Sequence, residues 1–87
     1  IFEKVHFAIG RDKIKKDSFD LLTQVANVLK QYPRIKKIQI EGHTDSKGSN
    51  KRNKKLSQRR AGAVMAYMIK QGVEPERLVA VGFGEEK

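Results

Sequence analysis

Two residues of this chain are placed where their chemistry needs explaining. Both lie in the stretch GHTDSKGSNKRNKKLSQRRA, residues 42–61. Asp45 is a lone acid at the head of a basic loop. Arg60 falls on a segment whose other inward positions are apolar. At about a hundred degrees per residue, Leu56, Ala63, Val64 and Tyr67 share one side of a helix with Met68 at its edge, and Arg60 lies in the middle of them. A guanidinium at the centre of an apolar stripe is costly unless it is paired. Either Arg60 snorkels, with its stem packed and its head in water, or it points into a pocket and meets a carboxylate from the protein or a ligand. Asp45 bears on that choice. It directly follows a strand, and in open α/β sheets ligands gather just beyond the C-terminal strand ends. A carboxylate and a guanidinium across one opening suit a zwitterion, the acid taking an ammonium and the fork taking a carboxylate. A simple Asp45–Arg60 salt bridge fits the same spacing.

Other chemistries find little support. Ser46, Ser49 and Ser57 have no base positioned by a motif, so there is no nucleophile pair. No catalytic residue is assigned, and the chain is expected not to be an enzyme. No phosphate-loop motif exists. His43 lacks a second ligand at metal spacing, His6 being on another strand, so no metal site and no cofactor are expected. With no cysteine among 87 residues, thiolate sites and disulfides are excluded.

The elements that must position Asp45 and Arg60 follow from periodicity. FEKVHFAI, residues 2–9, alternates imperfectly and reads as a strand ending near Gly10. DSFDLLTQVANVLKQYP is the clearest helix, with Leu21, Leu22, Val25, Val28, Leu29 and Tyr32 as its apolar stripe. Asp17 or Ser18 caps it and Pro33 stops it. RIKKIQIEG is a strand ended by Gly42. Residues 43–53 form a loop, and a second helix runs from about Lys54 to Gln71, capped by Asn53 and stopped by Gly72. RLVAVGFG is a short buried strand. The order is β-α-β-α-β, and its crossovers are expected to be right-handed.

The chain carries 38% hydrophobic residues and a formal net charge of +9. That fits one small domain with a modest core and a surface drawn to polyanions. No apolar run approaches membrane-spanning length. The first residue is Ile1, so the chain reads as excised from a larger protein, with any export signal or anchor elsewhere.

The segment GHTDSKGSNKRNKKLSQRRAGAVMAYMIKQGVEPERLVAVGFGE resembles the OmpA-like peptidoglycan-binding domain. That family includes the C-terminal domain of OmpA, the Pal lipoprotein and the flagellar stator protein MotB. The shared pattern is G-H-T-D, a Gly-containing loop, N-x-x-L-S-x-x-R-A, then V, G-V, R-[IL] and G-[YF]-G. With the upstream strand and helix, the resemblance covers essentially the whole chain, residues 1–87, as a single domain. It implies an α/β fold, an α+β sandwich of β-α-β-α-β order with helices packed on one mixed sheet. It also implies non-covalent binding of the peptidoglycan stem peptide through diaminopimelate. Asp45 would pair with the ammonium and Arg60 with the carboxylate. Thr44 and Asn53 match the positions beside them, and Leu56 and Ser57 shape the helix start. A periplasmic, wall-associated domain of a parent anchored in the outer or inner membrane follows, and a homodimer is compatible.

Three departures stand out. Where relatives carry an acid or amide near the pocket rim this chain reads AIGRDK, placing Gly10 at one rim position. The final family segment, an N-R-R-V-like strand, is absent. The loop SKGSNKRNKK is unusually basic, which leaves an alternative: binding of nucleic acid or another anionic polymer through residues 47–55, by way of Lys47, Lys51, Arg52, Lys54 and Lys55. Against nucleic acid, no aromatic residue sits in that loop for base stacking, so no nucleic-acid partner is expected.

Overall fold

The structure, a computed structural model, describes Phe7 and residues 11–44 and 50–84. A short 3-10 turn, Lys16–Ser18, leads into helix α1, Phe19–Gln31. Strand β1, Ile38–His43, follows, then helix α2, Asn50–Lys70. A second 3-10 turn, Pro75–Arg77, leads into strand β2, Leu78–Gly84. β1 and β2 pair in parallel, Ile38 against Leu78 and Gly42 against Gly82, with an irregularity between Gly42 and His43. The expected strand at 2–9 lies outside the described residues except Phe7, which forms an antiparallel bridge with Ile14. The observed arrangement is the expected α/β layering. α2 is the crossover between two parallel strands and packs on both, and α1 packs beside α2.

The core is one cluster of Ile14, Leu22, Ala26, Leu29, Val64, Met68, Val73 and Leu78. α1 is tied to α2 by a Thr23–Tyr67 hydroxyl hydrogen bond of 2.8 Å and by the Phe19 and Tyr67 rings, 4.9 Å between centroids. The inward stripe of α1 differs from expectation. Leu22, Ala26 and Leu29 are its buried residues, whereas Val28 and Tyr32 are exposed. Ala26 lies where α1 meets its neighbours, and hydropathy weighting favoured the larger residues around it. The start of α1 also differs. Ser18 has helical backbone angles and makes no side-chain cap bond, because the 3-10 turn runs straight into the helix. Pro33 stops α1 as expected, leaving Tyr32 outside helical angles.

α2 begins four residues before the expected Lys54, so Asn53 sits inside the helix rather than capping it. Residues 50–55 hold no apolar residue, and apolar periodicity is blind to such a turn, although Lys and Arg are good helix formers. The other end follows expectation. Gly72 has φ of +102°, Gly72 N–H donates to Ile69 O and Val73 N–H to Met68 O. That is a Schellman cap, with buried Val73 and Met68 as its apolar contact. Two further expectations change. Gly42 lies within β1 instead of ending it. β2 is not buried throughout, since Val79 is 41% exposed.

Arg77 is the arginine that the fold buries. It is 9% exposed, and its Nε and Nη2 donate to Ile35 O at 3.0 and 2.6 Å, with Nη2 also reaching Tyr32 O at 3.2 Å. It binds carbonyls of the turn that follows α1 and so pins the α1–β1 turn to the start of β2.

Candidate binding site at the strand ends

The site begins with two glycines. Gly42 and Gly82 face each other across the sheet, and α2 crosses directly over them. A Cβ on Gly42 would lie 1.8 Å from Ser57 O, and one on Gly82 would lie 2.3 Å from Gln58 N. No side chain fits there. The first turns of α2 are therefore pressed against the C-terminal ends of both strands. Small residues line the contact: Ser57 is 0% and Ala61 1% exposed.

Side chains from α2 lock this approach. Ser57 Oγ donates to Lys54 O and accepts the Gly84 N–H, both at 2.8 Å. Gln58 accepts the Gly82 N–H at 2.8 Å and donates to Ala80 O at 3.0 Å. Asn53 is buried at 6% exposure, one turn before Ser57, and its backbone lies against Gly84. Gly84 O in turn accepts the Thr44 N–H at 3.0 Å. The end of β1, the end of β2 and the first turn of α2 thus form one joined rim.

Two further expected site residues, Thr44 and Arg60, lie at this rim. Thr44 Oγ1 is buried and, among the described residues, has no hydrogen-bond partner. Buried hydroxyls are nearly always bonded, so an orphan at a rim is a point where an external donor or acceptor would be gained. Arg60 is half-buried. Its Nη1 donates to the carbonyl of His43, the residue before Thr44, at 3.2 Å, and its Nε donates to Arg11 O at 2.9 Å. The guanidinium carbon also stands 5.0 Å from the centre of the Phe7 ring, a cation–π distance. The head group is anchored on protein carbonyls, and its plane is fixed at the rim.

Arg60 is not at the centre of the buried face of α2. The buried residues Asn53, Leu56, Ser57, Ala61, Val64 and Met68 average about forty degrees away from it around the helix. It flanks that face, from where its side chain reaches the strand ends. Asp45 and Gly10 lie outside the described residues, as does Lys47. Phe7 and Arg11 are the contacts that sequence reading missed. Phe7 read only as an apolar strand position, and a backbone carbonyl such as that of Arg11 leaves no trace in residue type.

His43 is occupied otherwise. Its Nε2 lies 3.2 Å from Glu41 Oε1, and its ring stacks on Phe83 at 5.7 Å. Among the described residues no three His, Cys, Asp or Glu gather as a metal site would require. What the rim offers is recognition: an oriented guanidinium, an unsatisfied hydroxyl and a buried amide residue.

A family model described as OmpA matches residues 6–87. The chain belongs to the OmpA family. OmpA-like domains of this kind bind rather than catalyse, and this domain is not an enzyme. Outer membrane porin F of Pseudomonas fluorescens is 40% identical over 83 residues, which is 95% of this chain and 25% of that protein. The peptidoglycan-associated lipoprotein of Brucella melitensis is 32% identical over 85 residues, 98% of this chain and 50% of the lipoprotein. The crystal structure of the peptidoglycan-associated lipoprotein from Burkholderia pseudomallei superposes with a TM-score of 0.89 at 35% identity, covering 95% of this chain and 70% of the other. The chain thus spans between a quarter and a half of the length of these curated relatives.

Proposed function

We propose that this OmpA-family domain binds peptidoglycan without covalent attachment and holds a larger envelope protein to the cell wall. The ligand is the stem peptide, and the group gripped is the zwitterionic end of diaminopimelate. Arg60 takes the carboxylate and Asp45 the ammonium. Thr44 and Asn53 flank them, and Gly10 contributes backbone at the rim. The observation that carries this reading is the guanidinium of Arg60, fixed on the carbonyls of Arg11 and of His43, the residue before Thr44. An oriented guanidinium of this kind costs little further ordering when a carboxylate arrives. The names of the relatives, a peptidoglycan-associated lipoprotein among them, agree with it. The whole chain acts as one domain of a longer periplasmic protein anchored in a membrane.

The test is sedimentation with purified sacculi. Arg60→Ala and Asp45→Ala are each expected to abolish co-sedimentation while the circular dichroism and melting temperature stay close to the parent. Arg60→Lys keeps the charge but loses the planar fork. It is expected to weaken binding by at least tenfold, since a hydrogen bond to a charged group is worth about 1.5–3 kcal/mol. Full binding by both alanine variants would exclude the clamp.

A further inference from the structure

The outward face of α2 carries a second feature. Lys51, Arg52, Lys55 and Arg59 line one shallow concavity of about 290 Å³. All four are exposed. On a helix they fall within an arc of about a hundred degrees, centred nearly opposite the buried face. The first turn of α2 contains no acid. Asp12 Oδ2 lies 3.9 Å from Arg59 Nε, with both side chains more than half exposed. Such an exposed pair is weak and leaves the field of the face positive.

The same face continues with a single further charge. Gly62 has open space beyond it, and Ala66 and Ile69 are exposed, with Lys70 at the far edge. α2 is 21 residues long, so this is a straight surface roughly 30 Å in length. It is basic along one half and small or apolar along the other. Aromatic residues are absent from it: Tyr67, the aromatic of α2, is turned toward Phe19 and Thr23.

We propose that this face docks on an anionic phospholipid surface. The basic half meets the phosphates, and the small and apolar half permits close approach of the helix to the headgroups. A bilayer is planar and matches a straight helix face. Single-stranded nucleic acid is disfavoured because the face offers no stacking platform. The relatives named as an outer membrane porin and a lipoprotein carry this domain in proteins held at a membrane. The lipid face is on the outer side of α2, whereas Arg60 and Thr44 lie at the strand ends. The proposal therefore stands apart from the peptidoglycan reading and makes no use of Asp45 or Arg60.

The experiment is co-sedimentation of the 87-residue chain with vesicles of phosphatidylcholine and phosphatidylglycerol, about two to one, compared with phosphatidylcholine alone, at low and high salt. Binding is expected only to the anionic vesicles, and to fall as salt rises. Each juxtamembrane cation is worth about fivefold in partitioning. The triple variant Lys51→Gln, Lys55→Gln, Arg59→Gln should therefore bind anionic vesicles about a hundredfold more weakly, yet still sediment with sacculi. A control with the same loss of charge elsewhere, Lys16→Gln, Arg34→Gln, Lys36→Gln, should keep most of the vesicle binding. Equal loss in both variants would show that net charge, not this face, is responsible. No binding to anionic vesicles, or tighter binding to single-stranded DNA at the same salt, would equally overturn the proposal.

Discussion

Replacing Ser57 by alanine tests how the site is built. Ser57 is 0% exposed, and its hydroxyl both donates to Lys54 O and accepts the Gly84 N–H. The donation to Lys54 is dispensable, because that carbonyl already lies within a helix. The bond from Gly84 is not. Gly84 is buried, and its N–H has no solvent to turn to. Leaving a buried donor unsatisfied costs about 1–3 kcal/mol. Around 2 kcal/mol corresponds to a fall of about 8–16 °C in the melting temperature of a domain this small. Gln58 gives the internal comparison. It also holds β2, with two hydrogen bonds, but its side chain is exposed and water can replace it. Gln58→Ala should cost about 1 kcal/mol or less. The assay is urea unfolding of both variants followed by circular dichroism, with unchanged m-values confirming two-state behaviour. If Gln58→Ala proves more damaging than Ser57→Ala, bond number outweighs burial here, and the account of the rim is wrong.

Gly42→Ala places a methyl carbon 1.8 Å from Ser57 O, a backbone atom that cannot turn aside. Overpacking of this kind typically costs about 1–3 kcal/mol, and lifting α2 from the strand ends should also cut sacculus binding, both readable from one purified variant. Arg77→Met removes the donations that hold the α1–β1 turn and takes the guanidinium from Ile35 O, while Tyr32 O keeps the Ile35 N–H. It should destabilise by about 2–4 kcal/mol and raise amide exchange first at residues 32–37, as hydrogen-exchange mass spectrometry can show.

Much of the fold is legible in residue order, and particular residues show why. Pro33 pushes Tyr32 out of the helical region, and Gly72 has the positive φ that this helix end uses. The β-branched runs around Ile38–Ile40 and Val79–Val81 mark the parallel strands. Arg60 announces itself as anomalous by charge alone. The start of α2 was less legible, because its first turn is all polar and gives no periodic signal.

By itself, the sequence determined the order of the described elements, the helix stops, the family and two reasons to look at the strand ends: a lone acid and an oddly placed arginine. Only the tertiary structure decided what burial means at each position. Helical rotation places Arg60 at the centre of the inward face of α2, but the buried face is centred on Ser57 and Val64. The reason is steric. With Gly42 and Gly82 opposed, the helix axis comes so near the sheet that only small side chains fit between, and a serine hydroxyl becomes a backbone partner. Arg60 is displaced to the flank by the same approach. There the carbonyls of His43 and Arg11, groups that every residue carries alike, hold its guanidinium at the rim.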